Sequence, residues 1–351
     1  MKNNRFATAL LVFIGSTTAL FGQVNHPDAK CLICHGKPNF SVTEPDGRVR
    51  SLFVDSTMIN ESVHARWNCT DCHAVVTSIP HPAHVARVEC IRCHFSGNSV
   101  GAPQGEMYDQ YRESVHGLAA SEGKQNAPYC QNCHGTHLIR RHTDLKSPIS
   151  RLNVGTTCGK CHVNEFTAFD QSVHGAEVRK GNPDSPICTS CHGEHEIRMR
   201  SDPKSQVNAA NIPNTCSACH SSAPLMTQYG VRTKQVKTYE DSFHGIAIKF
   251  GQKQAANCAS CHGIHDILPA SDSRSSVNVA NIPHTCGACH KDANANYARG
   301  RIHVDAEDPE AGIIYYIASF FKYLTITTLV VLILNIILDF RRKLISKKDA
   351  E

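Results

Sequence analysis

Ser172-Val173-His174-Gly175 begins the stretch that decides the fold, and Cys188-Thr189-Ser190-Cys191-His192-Gly193-Glu194-His195 ends it. The second part contains a Cys-x-x-Cys-His motif, and further histidines lie on either side of that motif at His174 and His195. Variations on this stretch make up most of the 351-residue chain. The sequence is therefore best understood as a series of related units.

All 18 cysteines belong to Cys-x-x-Cys-His motifs, so no cysteine is left over. In an exported chain this motif is the attachment signal for c-type haem, in which both thiols bind the haem and the histidine binds its iron. Tetrahedral zinc sites and a disulfide framework are the alternatives, but neither needs a histidine after every second cysteine. Numbered one to nine in chain order, the motifs are Cys31, Cys34 and His35; Cys69, Cys72 and His73; Cys90, Cys93 and His94; Cys130, Cys133 and His134; Cys158, Cys161 and His162; Cys188, Cys191 and His192; Cys216, Cys219 and His220; Cys258, Cys261 and His262; and Cys286, Cys289 and His290.

Four copies of a larger unit follow the first motif. Each copy has a Ser-x-His element and then two attachment motifs, and the copies begin at Ser62, Ser114, Ser172 and Ser242. The offset from His116 to His174 equals the offset from His134 to His192, and the linkers between motifs repeat as well. Equal offsets indicate a duplicated structural module.

The histidines outside the motifs are numerous enough to give every iron a second axial ligand. Three follow an attachment histidine at three residues' distance, and one of two histidines replaces that position in the first copy. Together they predict nine irons with two histidines each, while the assignment of each distal histidine to an iron stays open. Five lie at or replace the Ser-x-His position (His64, His116, His174, His244, His303), three follow an attachment motif (His137, His195, His265), and the substitute is His81 or His84.

If a motif forms a helical turn, His192 and His195 lie on the same face of that turn. The two axial ligands of a haem iron lie on opposite faces of the haem, so we expect His195 to reach a neighbouring haem. The same expectation holds for His137 and His265. We interpret His26, His142 and His284 as surface or structural residues, since they do not recur in the repeats, and the methionines Met58, Met107, Met199 and Met226 as packing residues for the same reason.

Both ends of the chain carry apolar segments. Met1–Gly22 is typical of a secretory signal, although an uncleaved anchor is an alternative because Leu20 is unusual before a cleavage site. Ile313–Leu338 is long enough to cross a bilayer, and the basic residues after it predict a cytoplasmic C-terminus. The haem region is then expected on the periplasmic side of the inner membrane. The predicted organisation is a signal peptide (1–22), a segment with haem one (23–61), di-haem modules (62–305) and a membrane anchor with a basic tail (306–351).

The expected fold is mainly α-helical and irregular, built round a chain of haems, with little or no β-sheet and one C-terminal transmembrane helix. Aromatic residues are only 7% of the chain, which leaves too little apolar area for a core without the cofactors. Longer amphipathic helices are predicted around Tyr108–Ala119 and Thr233–Ile248, and a polar loop at Pro38–Arg50. The net charge of +5 does not indicate nucleic-acid binding, because haem propionates would offset it.

The paired attachment motifs, together with Ser-Val-His-Gly and Cys-His-Gly-x-His, resemble the multihaem c-type cytochromes of anaerobic respiratory chains, over about Cys31 to His303. The C-terminal span resembles membrane-bound cytochrome c subunits that work beside an integral cytochrome b or another quinol-oxidising subunit. This resemblance implies electron transfer between the quinone pool and periplasmic cytochromes, with no catalytic residues. A multihaem reductase or oxidase with one open haem is the alternative. Related nitrite reductases often mark such a haem with lysine in place of the attachment histidine, and no motif here has that change.

Overall fold

The computed structural model describes residues 29–103, 105–296 and 303–348. The predicted signal segment Met1–Gly22 and His26 lie outside these residues. The described chain is mainly helical with very little sheet, which confirms the predicted fold class at that level. The chain divides into two compact units, Met1–Cys90 and Ile91–Glu351.

The first unit contains short helices and a hairpin. Its helices are α1 (Ala29–His35), α2 (Ser56–Glu61) and α3 (Cys69–Cys72). Strands β1 (Ser41–Thr43) and β2 (Val49–Ser51) pair antiparallel, with Ser41 opposite Ser51. The prediction of a loop at Pro38–Arg50 is therefore wrong. The turn closes because Gly47 has a φ of 83° and its N–H donates to the Glu44 carbonyl at 2.9 Å, a conformation that glycine adopts without strain.

The second unit repeats one local pattern, in which two helices meet at a serine and an attachment motif follows on a short helix. A 3₁₀ turn spans Cys90–Arg92, and another spans Pro309–Ala311. The α-helices are α4 (Met107–Glu113), α5 (Val115–Ser121), α6 (Cys130–His134), α7 (Val154–Gly159), α8 (Val163–Gln171), α9 (Val173–Arg179), α10 (Cys188–His192), α11 (Ile212–His220), α12 (Ala223–Thr227), α13 (Lys234–Glu240), α14 (Phe243–Lys249), α15 (Cys258–His262), α16 (Ile282–Gly287) and α17 (Ile313–Lys348).

In the second, third and fourth copies, the serine of the Ser-x-His element ends one helix and begins the next. Ser172 has an extended backbone, its hydroxyl donates to the Phe169 carbonyl at 2.6 Å, and the same oxygen accepts from the Gly175 N–H at 3.1 Å. Ser114 and Ser242 make the equivalent bonds. A serine in this N-cap geometry separates two helices. The continuous helices predicted at Tyr108–Ala119 and Thr233–Ile248 are therefore each two helices, which is a correction to the prediction.

The glycine of Ser-x-His-Gly is required where two helices approach closely. A Cβ on Gly175 would lie 2.1 Å from the Phe169 carbonyl oxygen of the preceding helix, and Gly117 and Gly245 have the same clash with their own preceding helices. The glycine thus lets the helix that carries the distal histidine cross directly over the last turn of the helix before it.

Hydrogen bonds repeat between and within the copies. The Val115 N–H donates to the Ile197 carbonyl and the Val173 N–H to the Ile267 carbonyl, both at 2.9 Å, so each helix start bonds to the following copy. In the linkers one asparagine amide bridges two carbonyls in each of three copies, and these asparagines are Asn153, Asn211 and Asn281. The sequence repeat is therefore also a structural repeat.

The apolar core formed by side chains is small. Among the described residues, the buried hydrophobic side chains are Val154, Val178, Met226, Tyr239 and Ile248. Many of the other buried residues are serines and asparagines that bond the backbone, as Ser205 does to the Arg198 carbonyl. This amount of apolar burial is too small to offset the chain entropy of a unit of this size.

The C-terminal helix α17 extends over 36 residues. An 18-residue window within its segment Ile313–Ile345 has a mean hydropathy of 2.1 and is not buried against the rest of the protein. A bilayer core of about 30 Å needs about 20 such residues. The helix is thus long and apolar enough to cross a membrane once.

Candidate functional site

Seven of the nine attachment histidines lie opposite one distal histidine. The ring centroids of each pair are 5.9–6.2 Å apart. The pairs are His35 with His81, His134 with His195, His162 with His116, His192 with His265, His220 with His174, His262 with His303 and His290 with His244.

The spacing within the pairs fits a metal ion between the rings. Two imidazoles on opposite sides of one ion, each bonded at about 2 Å, have centroids about 6 Å apart. Rings packed face to face with no atom between them would approach to about 3.5–4 Å. The near-parallel pair of His134 and His195, 5.9 Å apart at 6°, has the first separation and not the second.

The same geometry weakens the two other interpretations of the cysteines. Within the part of the chain that the structure describes, no group of three or more histidine, cysteine, aspartate or glutamate side chains could hold a metal ion, as a tetrahedral zinc site requires. None of the 18 cysteines forms a disulfide. The thiols are therefore available for attachment to a cofactor.

The two cysteines of a motif differ in exposure at several sites. The first cysteine is partly buried in every motif, and these residues are Cys31, Cys69, Cys90, Cys130, Cys158, Cys188, Cys216, Cys258 and Cys286. The second cysteine is exposed in four motifs, at Cys34, Cys72, Cys161 and Cys289, and partly buried in the other five, at Cys93, Cys133, Cys191, Cys219 and Cys261. No cysteine is fully buried, so every thiol lies at a surface that an attached group could cover.

The pairs follow a rule that links successive copies. The histidine of Ser-x-His lies beside the second attachment histidine of its own copy, as His174 does beside His220. The histidine that follows the first motif lies beside the first attachment histidine of the preceding copy, as His195 does beside His134. His195 and His265 thus each lie beside an attachment histidine of the preceding copy.

At the N-terminal end, His81 takes the second of these roles. Its ring is 6.0 Å from that of His35 and nearly parallel to it, at 5°. His84 lies elsewhere, with its Nδ1 atom 3.8 Å from a carboxylate oxygen of Glu44. Of the two alternatives for this ligand, the geometry favours His81, and it belongs to motif one.

At the C-terminal end, His303 has a role that its sequence position did not indicate. The repeat placed it where a fifth Ser-x-His would begin, yet its ring faces His262, the first attachment histidine of the fourth copy. By the rule above, the partner of a first attachment histidine comes from the following copy. The segment before α17 therefore places a histidine where the repeat pattern would place one from a fifth copy.

Hydrogen bonds to Nδ1 orient three of these rings. The Nδ1–H of His35 donates to the Leu52 carbonyl and that of His81 to the Pro82 carbonyl, each at 2.8 Å. His303 Nδ1 lies 3.0 Å from the Thr238 hydroxyl, which itself donates to the Gln235 carbonyl at 2.9 Å. A partner at Nδ1 leaves Nε2 as the atom that can bind a metal, and it fixes the direction in which the ring points.

Burial keeps many of these imidazoles neutral. Burial, together with the smaller effect of the neighbouring His220, lowers the pKa of His174 to about 4. Burial also lowers the pKa of His73, His116, His134, His192, His220, His244, His262 and His303. Since only the neutral ring binds a metal, these side chains are in the form that a ligand needs.

The other predicted site residues are distributed between the two units. His64 and His73 lie in the first unit, where His73 interacts electrostatically with His35 and His81. His94 and His137 lie in the second unit, where His94 interacts with His134. His142 and His284 are exposed, which agrees with their interpretation as surface residues.

Successive motifs in the second unit lie next to one another in space. The thiols of Cys158 in motif five and Cys188 in motif six are within hydrogen-bond distance, and this contact raises the pKa of Cys158. Cys216 and Cys258 make the same contact between motifs seven and eight. At the other junctions the thiols of neighbouring motifs interact electrostatically, and these pairs are Cys133 with Cys161, Cys191 with Cys219, and Cys261 with Cys286 and Cys289. Each of motifs four to nine therefore lies beside the next motif in chain order.

Comparisons with protein-family models, curated proteins and solved structures found no match to this chain.

Proposed function

We propose that the chain is a nonahaem c-type cytochrome that carries electrons between the membrane quinone pool, through an integral membrane partner, and periplasmic redox proteins. The observation that carries the proposal is the set of seven histidine pairs, each with the ring separation of two ligands on one iron. Haem c would supply a one-electron couple at each site.

The residues at each site fit this cofactor. The two cysteine thiols of a motif, which form no disulfide, would bond the haem, and the adjacent histidine would bind its iron. In the seven pairs the distal histidine would be the second ligand. An iron held by two histidines would favour electron transfer over substrate chemistry, because a substrate needs an open position on the iron.

The order of the sites also supports electron transfer. Thiols of neighbouring motifs contact each other at two junctions, so the attached groups would be close together. Ligands that pass from one copy to the preceding one would hold neighbouring modules at a fixed separation. This arrangement suits a line of redox centres.

The membrane part of the proposal rests on α17. Its basic C-terminal end, which includes Arg341, Arg342 and Lys343, favours a cytoplasmic location for that end. The haem region would then lie on the periplasmic side of the inner membrane. Export to this side also fits the predicted signal segment.

Electron paramagnetic resonance of the oxidised full-length protein tests the proposal, together with a haem count by the pyridine haemochrome assay. We expect nine haems per chain and low-spin signals throughout. A high-spin signal from about one ninth of the iron would overturn the assignment as a pure electron carrier and support the reductase alternative, because an open iron is high-spin. A matched variant, Cys258→Ala with Cys261→Ala, should lower the haem count by one.

The partner is tested by purification in mild detergent. A multi-span cytochrome b or another quinol-oxidising subunit should co-purify with the full-length chain. Full reduction of the isolated chain by quinol, with no other polypeptide present, would contradict the need for that partner.

A further inference from the structure

Helix α14 in the fourth copy carries an apolar stripe on its outer side. Phe243 is 83% exposed, Ile246 45% and Phe250 80%. Their spacing of three and four residues places them on one side of the helix. The opposite side is the packed one, since Gly245 and Ile248 are buried.

Two of the three stripe residues are turned away from the histidine pair of this helix, whereas the Phe243 ring contacts the His244 ring edge-on, with centroids 6.4 Å apart. With 3.6 residues per turn, Ile246 lies about 160° and Phe250 about 120° round the helix from His244. His244 is the residue that faces His290 at 6.0 Å. A cofactor between those two rings would therefore lie on a different side of α14 from Ile246 and Phe250.

The other copies do not have this stripe. The residue equivalent to Phe250 is Glu122 in the second copy and Lys180 in the third, and both are exposed. At the position of Phe243 those copies have valines whose N–H groups bond the following copy. The sequence has no fifth copy to follow α14, so the large apolar side chains occur where the array ends.

Basic residues flank the stripe. Lys249 and Lys253 are exposed beside Phe250. The residues equivalent to Lys253 are uncharged in both earlier copies, Gln125 and Pro183. A short helix with aromatic and aliphatic side chains on one side and lysines at its edge is suited to the interface of a bilayer that contains anionic lipids.

The fourth copy is also tied to the start of the membrane helix. His303 bonds Thr238 at 3.0 Å, and Lys234 makes an ion pair with Asp305, so this segment is fixed on α13 directly before α14. The eight residues from Asp305 to Ile313 can span at most about 28 Å. The stripe is therefore kept close to the surface at which α17 would enter the membrane.

We propose that the stripe of Phe243, Ile246 and Phe250, with Lys249 and Lys253, rests on the anionic lipid surface of the membrane that α17 crosses. The contact would set the orientation of the C-terminal end of the haem array against the bilayer. The inference rests on the insertion of α17 proposed above. Resistance to extraction at alkaline pH tests that insertion separately.

Photo-crosslinking of the full-length protein tests the contact. p-Benzoylphenylalanine is placed at position 250, and at position 180 as the matched control in the third copy, in vesicles of phosphatidylcholine and phosphatidylglycerol. We expect phospholipid adducts at position 250 at a yield roughly tenfold above position 180, because only the fourth copy would touch the interface. Equal yields at the two positions would overturn the proposal, and so would adducts mainly with a second copy of the chain. In native membranes, adducts mainly with another polypeptide would also overturn it.

A second measurement replaces two stripe residues by the residues found at the equivalent positions of the third copy, Ala176 and Lys180. The variant Ile246→Ala with Phe250→Lys keeps the helix and the histidines, and its Soret spectrum should match that of the unchanged protein. Linear dichroism of the haems in oriented bilayers should show a defined orientation for the unchanged protein and a weaker dichroism for the variant. The control Leu118→Ala, at the position equivalent to Ile246 in the second copy, should leave the dichroism unchanged. Dichroism that is the same in all three proteins would contradict the lipid contact.

Discussion

Replacement of His195 by alanine should convert one iron from low-spin to high-spin, and that iron should belong to motif four. The His195 ring is 5.9 Å from that of His134 and nearly parallel to it, the separation expected for two ligands on one iron. Loss of one axial ligand opens one of nine irons. The high-spin signal should therefore account for about one ninth of the total iron.

Removal of individual haems shows which iron His195 serves. In a background with Cys130→Ala and Cys133→Ala, the haem of motif four is absent, and His195→Ala should add no further high-spin iron. In a background with Cys188→Ala and Cys191→Ala, the haem of His195's own motif is absent, and the same substitution should still add one high-spin iron. Haem counts of eight in both backgrounds are the control.

The opposite pattern would refute the reasoning. If His195→Ala adds high-spin iron only when motif four is intact, ligand donation to the preceding copy is supported. If it adds high-spin iron only when motif six is intact, His195 binds the haem of its own motif. The rule derived from the ring pairs would then be wrong for the other histidines of this type as well.

Three further predictions concern packing, spectroscopy and folding. Gly175→Ala should destabilise the protein by about 1–3 kcal/mol and weaken the low-spin signal of one haem, because the added Cβ would lie 2.1 Å from the Phe169 carbonyl oxygen. The control Gly287→Ala adds a Cβ that meets no described atom within 4 Å beyond its chain neighbours and its own helix backbone, and it should change the free energy of unfolding by less than about 0.5 kcal/mol. The g values of the low-spin signals should form two groups, because the angle between the two histidine ring planes is 5–17° at sites one, four and six and 33–53° at sites five, seven, eight and nine. A single group of g values would contradict this prediction. Chain produced without haem attachment should lack a cooperative thermal transition by circular dichroism outside α17, because few apolar side chains are buried.

Much of this arrangement could be predicted from sequence because it depends on counting and on short-range geometry. The attachment motifs and the number of distal histidines follow directly from the residue order. The helical turn of the motif also predicts that a histidine such as His195 reaches another site. The mainly helical fold and the single apolar C-terminal helix follow from composition and from the length of the Ile313–Leu338 segment.

Other features depend on contacts between distant residues. The residue order leaves His81 and His84 equivalent, and only the approach of His81 to His35 distinguishes them. The helix breaks at Ser114 and Ser242 are hidden because the amphipathic pattern continues through them. A signal for them is nevertheless present, since a serine three residues before a glycine that must pack closely is a typical N-cap.

His303 shows most clearly why the repeat pattern alone could not assign the ligands. A module that supplies a ligand to the preceding module leaves the last module incomplete, so the array needs a different residue at its end. Here that residue lies in the segment that leads to α17 and is fixed there by Thr238. The proposed haem eight would thus be completed only when this segment docks. Completion of the proposed array and its attachment to the membrane helix would therefore depend on the same stretch of chain, and we expect electron exchange with a membrane partner at the C-terminal end of the array.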